Sequence, residues 1–497
     1  MLSLLYRNST PQKVPLLSAE ALDALMIDNA ISLVIPEKEK RNHFLKILSE
    51  PLIDTEDILY RQDILRDFIN HRFFLANLSD LFSTFVSVVL EYNKTRQNNK
   101  QTYRKAVGSM IDSGVSTLQS VCILIRDLLL LLQKLDASVE GLPLHSAGLL
   151  ALRVRLHTIA KSDGFPKLLS IAKQYDRLTA FHLHADISFK LGENAQLTKI
   201  RFLSSEEEIP VSKPQKEPKK FCFFKKHGSD EKTETKANAI PLNYNSFTTE
   251  KIVGQSISDI TDAMIDVANQ ILSEFMGIKE DLLFYETACR ILDKLKELET
   301  LYTFPIFENQ TEILDLHDLF LLLRSSEETH VIPNDFFLSQ NIGGMLICGE
   351  NGSGKTVYLR SVTTAYLFAQ AGLPVLARKA SIVPICALHV LMASSENTLD
   401  ILGNAGRFEE EVIKIAEIVD HPASGAMVML NEFFQTTSYG EGAQSLYHIL
   451  QYLSEQHIRW ICVTHLLDLF ELYSNEIHVS KIEIQNHKAK LYTHEKK

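Results

Sequence analysis

At 497 residues, with 45% apolar and 23% charged side chains, the chain has the composition of a globular protein that buries a core, and its length suits about two to four domains. A net charge of −11 excludes attraction to nucleic acid by the field of the whole molecule and leaves a local basic surface as the electrostatic route to that partner. Six scattered cysteines (Cys122, Cys222, Cys289, Cys348, Cys386 and Cys462) have no CxxC or His/Cys metal spacing, which argues against a zinc module and for reduced thiols in an intracellular protein.

The N-terminal MLSLLYRNSTPQK is apolar too briefly to read as a signal peptide. Residues 17–182 read as nearly continuous helix, with apolar residues at three- and four-residue spacing in EALDALMIDNAISLVI and FLANLSDLFSTFVSVVLEYNKTRQ. The run CILIRDLLLLLQKL is interrupted by Arg126 and Asp127 and reads as too short to span a bilayer, so a buried helix is expected, in a cytoplasmic protein with no membrane contact. At about residue 183 the texture changes. HADISFKLGENAQLTKIRFLSS alternates apolar and polar residues on both sides of GENAQ and predicts a small β-hairpin. A stretch rich in Lys, Glu, Pro and Ser follows and reads as a mobile loop. Helical patterning then returns, and from about residue 305 short apolar runs (MLICG, ALHVLMAS, AMVMLNE, RWICVTH) alternate with helical patterns, as in an α/β domain with a largely parallel sheet. The expected organisation is a multidomain chain: an all-α region over 1–182, a small β insert over 183–249, returning helices over 250–304, and an α/β domain over 305–497.

The strongest motif is MLICGENGSGKT. A buried strand leads into Gly349, Glu350, Asn351, Gly352, Ser353, Gly354, Lys355 and Thr356, and a helical pattern follows at once, which is GxxxxGK[ST] in its required context. The glycines let backbone N–H groups converge on phosphates at a helix N-terminus. Lys355 is then placed to reach the β- and γ-phosphates of ATP, and the Thr356 hydroxyl to ligate Mg²⁺. A second apolar run ends in Asn431-Glu432 and delivers a carboxylate to the same sheet edge, where it could orient or deprotonate an attacking water. A third ends in Thr464-His465, a capped surface pair or a γ-phosphate sensor. Between the first two lies ENTLDILGNAGRFEEEVIKIAEIV, in which Gly403 and Gly406 precede a helix opened by Glu409, Glu410 and Glu411. An acidic first turn suits the helix dipole whatever the function.

In this order the motifs resemble the C-terminal ATPase of the MutS mismatch-repair family. The resemblance rests on HVIPNDFFLSQNIGGMLICGENGSGKTVYLRSV with Asn351 inside the loop, on AYLFAQAGLPVLARKASIVP, on Phe408 and Glu411 of GRFEEEV, on LNEFFQTTSYGEG with Thr437 and Ser438, and on VTH. It spans about 170 residues and implies an α/β P-loop ATPase domain of ABC type over 305–497. The helix–β insert–helix plan resembles the family's core, lever and clamp more diffusely, implying an all-α core and outgoing lever over 1–182, a small β or clamp-like insert over 183–249 and returning lever helices over 250–304. The resemblance implies a dimer whose levers embrace duplex DNA and whose clamp answers to ATP. It implies Lys355 and Thr356 on phosphates and Mg²⁺, Glu432 as catalytic base, His465 as γ-phosphate sensor, and Val331 and Ile332 against the adenine. Gly406 and Arg407 fall where the family has the Ser-Thr of its trans-acting signature.

The departures set further expectations. Asn431 stands in place of the strand-end Asp and removes one negative charge near the metal, so a weaker Mg²⁺ site and slow hydrolysis are expected. With Gly406-Arg407 the trans hydroxyl is lost, and a backbone N–H or the Arg407 guanidinium takes its place. The length leaves no room for mismatch-reading domains, and the chain stops at Lys497 without the family's dimerisation tail. The basic run Lys213, Lys216, Lys219, Lys220, Lys225 and Lys226, interleaved with Phe221, Phe223 and Phe224, is either a DNA grip or a solvated loop. Two rival functions stay open: a nucleotide-gated scaffold that does not hydrolyse, and an ATPase acting on a protein partner.

Overall fold

The computed structural model describes residues 2–7, 11, 13, 17, 19–105, 110–175, 181–190, 196–207, 247–325, 331–392, 407–434, 439–474 and 476–491. The first half is helical: α1 (Ala19–Ala24), α2 (Ile27–Ser32), α3 (Lys38–Leu48), α4 (Thr55–Asn70), α5 (Arg72–Lys105), α6 (Met110–Val139), α7 (Ala147–Ala160) and α8 (Gly164–Tyr175). β1 (Phe181–Lys190) and β2 (Gln196–Glu207) pair antiparallel, and α9 (Phe247–Phe275) and α10 (Ile278–Glu297) follow. The remainder alternates: β3 (Ile306–Phe307), β4 (Thr311–Leu316), α11 (Leu319–Arg324), β5 (Asn334–Leu338), β6 (Gly344–Cys348), α12 (Lys355–Gln370), β7 (Lys379–Ile382), β8 (Leu388–Met392), α13 (Arg407–Asp420), β9 (Met427–Asn431), α14 (Tyr439–Glu455), β10 (Arg459–Val463), α15 (Leu467–Leu472), β11 (Val479–Gln485) and β12 (Lys488–Leu491).

The described chain forms two compact units. One comprises Leu81–Glu140 and Arg155–Met276, the other Met1–Asp80, Gly141–Val154 and Gly277–Lys497. In the former, α6 packs against α8 and α9, and Phe85 meets Phe82 and Phe275 edge to face. Arg155 and Glu274 form an ion pair between α7 and α9. The six lysines of the basic run lie outside the described residues.

The expectation of a run too short to span a bilayer does not hold. The apolar run around Arg126 belongs to a longer helix, and Val115–Val139 (25 residues) is long and apolar enough to cross a bilayer, as is Arg72–Lys94 of α5. Half of the apolar window in α6 is buried inside the protein, and 39% of that in α5. Two charged side chains shorten the apparent run without breaking the helix: Arg126 and Asp127 pair with each other at 2.8 Å.

The other unit joins a helical body to two mixed sheets. α10 packs against α3 and α4, with Phe44 stacked on Phe284 (5.3 Å) and Phe68 against Tyr285 (5.3 Å). The larger sheet has the order β12-β11-β6-β10-β9-β8, all neighbours parallel except the β11–β12 hairpin. Its central strand β6 is buried at every position, as a parallel strand covered on both faces must be. The smaller sheet, β3-β7-β4-β5, is also mixed and was not expected from the sequence. α12 leaves the larger sheet and ends against the helical body: the Gln370 amide donates to Leu52 O (2.7 Å) and Ile385 O (3.0 Å), and Leu52 N–H donates to Gln370 O (2.9 Å).

A buried polar node ties the N-terminal segment to α4 and α10. Asp281 Oδ2 accepts Leu4 N–H (2.7 Å) and Ser3 Oγ–H (2.8 Å), Tyr285 OH donates to Leu4 O (2.5 Å), and Arg61 Nε–H donates to Leu5 O (2.7 Å). Burial pushes the Asp281 carboxyl up to about 6, against the hydrogen bonds it accepts and the Arg61 charge. A carboxyl raised on folding takes up a proton, so its contribution is largest below about pH 4 and is lost as pH rises through about 6. We therefore expect Asp281→Asn, which keeps an acceptor oxygen, to remove a fall in stability on the order of 1–3 kcal/mol between about pH 4 and 6. Urea midpoints of the two proteins across that range test this, and parallel curves would refute it.

Candidate functional site

Strand register brings three loops to one edge. Ile347 of β6 pairs with Val463 of β10, and Val463 with Asn431 of β9, so the three strands end level. β6 runs into Gly349, whose φ of +146° favours glycine and where a Cβ would lie 2.5 Å from Ile484 O on β11. Gly354, at φ +105°, is the N-cap of α12, so the loop opens directly onto a 16-residue helix. Asn351 and Gly352 are exposed at the tip.

Lys355 is 5% exposed and turned back onto its own loop, its Nζ donating to Gly349 O (2.9 Å) and Glu350 O (3.0 Å). Burial lowers its pKa, opposed by the nearby Glu432 carboxylate. Ser353 Oγ is buried with no hydrogen-bond partner. Thr356 Oγ–H donates across to Asn431 Oδ1 at 3.3 Å, a neutral pair. Glu432 follows β9 with φ +58°; its N–H donates to Val463 O (2.9 Å), and its Oε1 lies 2.9 Å from His465 Nε2. His465 is held there because Thr464 is fully buried, its N–H donating to Ile347 O (3.0 Å) and its Oγ accepting Leu466 N–H (3.0 Å).

Three further residues belong to this edge: Glu411, which the sequence offered only as part of the GRFEEEV motif, and Asn334 and His487, to which it gave no role. Glu411, on α13, is 1% exposed and accepts the Phe434 N–H at 2.7 Å, so it is not a solvated first-turn acid like Glu409 and Glu410. Asn334 bridges β5 to the β11–β12 hairpin, donating from Nδ2 to His487 O (2.9 Å) and accepting Ala489 N–H at Oδ1 (2.7 Å). His487, in the turn of that hairpin, places its Nδ1 3.2 Å from where a Gly354 Cβ would be. Asn486 and His487 both have positive φ, the requirement of a two-residue type I′ turn, and QNHK between polar-alternating strands is the signal that could have found it. Val331 is half-buried and Ile332 40% exposed, just before Asn334. Arg407 is the first residue of α13, and Gly406 lies outside the described residues. Among the described residues no three His, Cys, Asp or Glu side chains converge as a metal cage.

A glycine-rich loop at a helix N-terminus, set on the carboxyl edge of a mixed sheet and joined to a helical body, defines the class of protein. Residues 345–496 match the family model described as MutS domain V, an ATPase domain, and residues 53–298 match the MutS2 N-terminal domain. The chain belongs to the MutS family. Among curated relatives it is 31% identical over 159 residues to an Endonuclease MutS2 of Streptococcus thermophilus (strain ATCC BAA-491 / LMD-9), which is 32% of this chain and 20% of that protein. It is 29% identical over 138 residues to an Endonuclease MutS2 of Streptococcus pyogenes serotype M5, 28% of this chain and 18% of that protein. The matched stretch thus spans about a fifth of these relatives.

Proposed function

We propose that this chain is a P-loop ATPase of ABC type that binds ATP with Mg²⁺, hydrolyses it slowly, and uses its nucleotide state to control a DNA-binding clamp as a cytoplasmic dimer or with a related subunit. The observation that carries the reading is the convergence of Lys355, Thr356, Asn431, Glu432 and His465 at three level strand ends. The donor set fits a polyphosphate. Lys355 Nζ exchanges two loop carbonyls for phosphate oxygens, the N–H groups at the start of α12 face the same charge, and Ser353 Oγ gains the partner it lacks. With one carboxylate in the cluster, the chain alone makes a poor cation cage, so these residues would hold a divalent ion only together with bound phosphates. Mg²⁺, when bound, neutralises charge on the transferring phosphoryl group. Thr356 and Asn431 supply neutral oxygens toward it, Glu432 orients and deprotonates a water, and His465 holds Glu432 and reports on the γ-phosphate. Val331 and Ile332 offer an apolar edge to the base, and Gly406 with Arg407 a second face from a partner subunit.

Lys355→Ala is expected to weaken binding of a fluorescent ATP analogue at least about tenfold with an unchanged melting temperature, since the lost contact is a charge-assisted one. Unaltered affinity would remove the nucleotide reading. The clamp half is tested by salt-dependent retention on duplex, branched and single-stranded DNA, with and without ATP. No retention at low salt on any of them would leave a protein partner as the target. The neutral Thr356–Asn431 pair favours one second reading, a scaffold that closes on ATP without turnover.

A further inference from the structure

α13 carries three successive glutamates of unlike burial: Glu409 and Glu410 are exposed and Glu411 is not. The Phe434 N–H that Glu411 holds belongs to a turn with two left-handed, non-glycine residues, Glu432 and Phe434, each at φ +58°. Side chains adopt that region at a cost, and keep it only where the surroundings impose it. Between the two, Phe433 is fully buried, and both phenylalanines share the core cluster with Ile415 and Ile418 of α13. The turn is fixed on one side by the Glu432 N–H on Val463 O and on the other by Glu411. Packing alone would be served at position 411 by an apolar side chain; a buried carboxylate offsets its lost hydration only through the hydrogen bonds it accepts.

We propose that Glu411 is a positioning residue for the site: through the Phe434 N–H it holds the left-handed turn that aims the Glu432 carboxylate, an inference that rests on the reading of Glu432 as general base. Glu411→Met keeps the volume and helix propensity and removes the acceptor, whereas Glu411→Gln keeps an acceptor oxygen. The full chain and both variants are compared by thermal melting, ATP affinity, single-turnover hydrolysis and hydrogen exchange of residues 427–434. We expect E411M to hydrolyse about ten- to a hundredfold more slowly at an ATP affinity within about twofold of wild type, as misplacement of a reacting group without loss of binding predicts. Amides after Leu430 should exchange at least about tenfold faster in E411M. E411Q should restore both properties to within about threefold, because the amide oxygen still accepts the N–H. Wild-type turnover and exchange in folded E411M, or an E411Q as impaired as E411M, would overturn the proposal. An inactive wild type would defeat the general-base reading alone, and the exchange contrast between the two variants would still decide whether Glu411 holds the turn.

Discussion

Replacing Glu432 by Gln is expected to lower single-turnover ATP hydrolysis by about a hundredfold or more, the typical contribution of a positioned general base, while ATP affinity stays at the wild-type value. Gln preserves the volume, the β-carbon at φ +58° and an oxygen for His465, so the turn and the 2.9 Å contact survive. What it removes is proton-accepting capacity. The neighbouring strand-end residue sharpens the test. Asn431 gives Thr356 a neutral acceptor at 3.3 Å, where a carboxylate would add a charge beside the proposed Mg²⁺ site. Asn431→Asp should therefore lower the Mg²⁺ concentration needed for half-maximal turnover several-fold, since a full charge replaces a dipole among the cation's oxygen neighbours. Equal, background-level hydrolysis in wild type and E432Q would favour the nucleotide-gated scaffold. Turnover in wild type that persists undiminished in E432Q would move the base elsewhere.

How far these features are legible beforehand differs from residue to residue. The runs MLIC, MVML and WICV predict strands because a parallel strand covered on both faces needs uninterrupted apolar side chains, and all three are buried. GENGSGKT predicts a loop and a helix start because so many glycines before a helical pattern have few other uses. The smaller sheet escapes the same reasoning. Its strands have two to six residues with mixed burial, as in TEILDL, and such runs have no period long enough to detect. The role of Glu411 escapes for another reason: the resemblance picks it out of three adjacent glutamates, but only the phase of α13 against the β9 turn buries it on a backbone N–H. His487 reaches Gly354 through a hairpin closed over 130 residues downstream of the loop, a contact set by sheet order and not by local pattern. Tertiary register, then, carries what composition cannot.

The same dependence on distant partners makes Asp318→Ala the substitution expected to cost most stability, about 3–5 kcal/mol for a buried pair broken from one side. Asp318 and Arg360 are 4% and 6% exposed. They meet in two parallel hydrogen bonds, Nε–H to Oδ2 and Nη2–H to Oδ1, each 2.7 Å. Around the guanidinium lie the Phe320 ring, centred 5.5 Å away, and Met26 Sδ at 3.0 Å, neither of which can replace an anion. Asp318 also caps α11, its Oδ1 accepting Leu321 N–H at 2.9 Å, so Ala removes a cap and strands a charge together. Asp318→Asn keeps an oxygen for the cap and should lie between Ala and wild type. The double variant D318L/R360M should regain most of the loss, because a buried pair replaced by apolar side chains no longer has hydration to forgo. Arg360 sits in α12, which begins at Lys355, so the pair anchors the helix whose N-terminus forms the phosphate side of the proposed site. Urea unfolding of the three variants, read beside ATP affinity, checks both consequences. A D318A protein within about 0.5 kcal/mol of wild type would show that solvent reaches Arg360 and that the anchor is not needed.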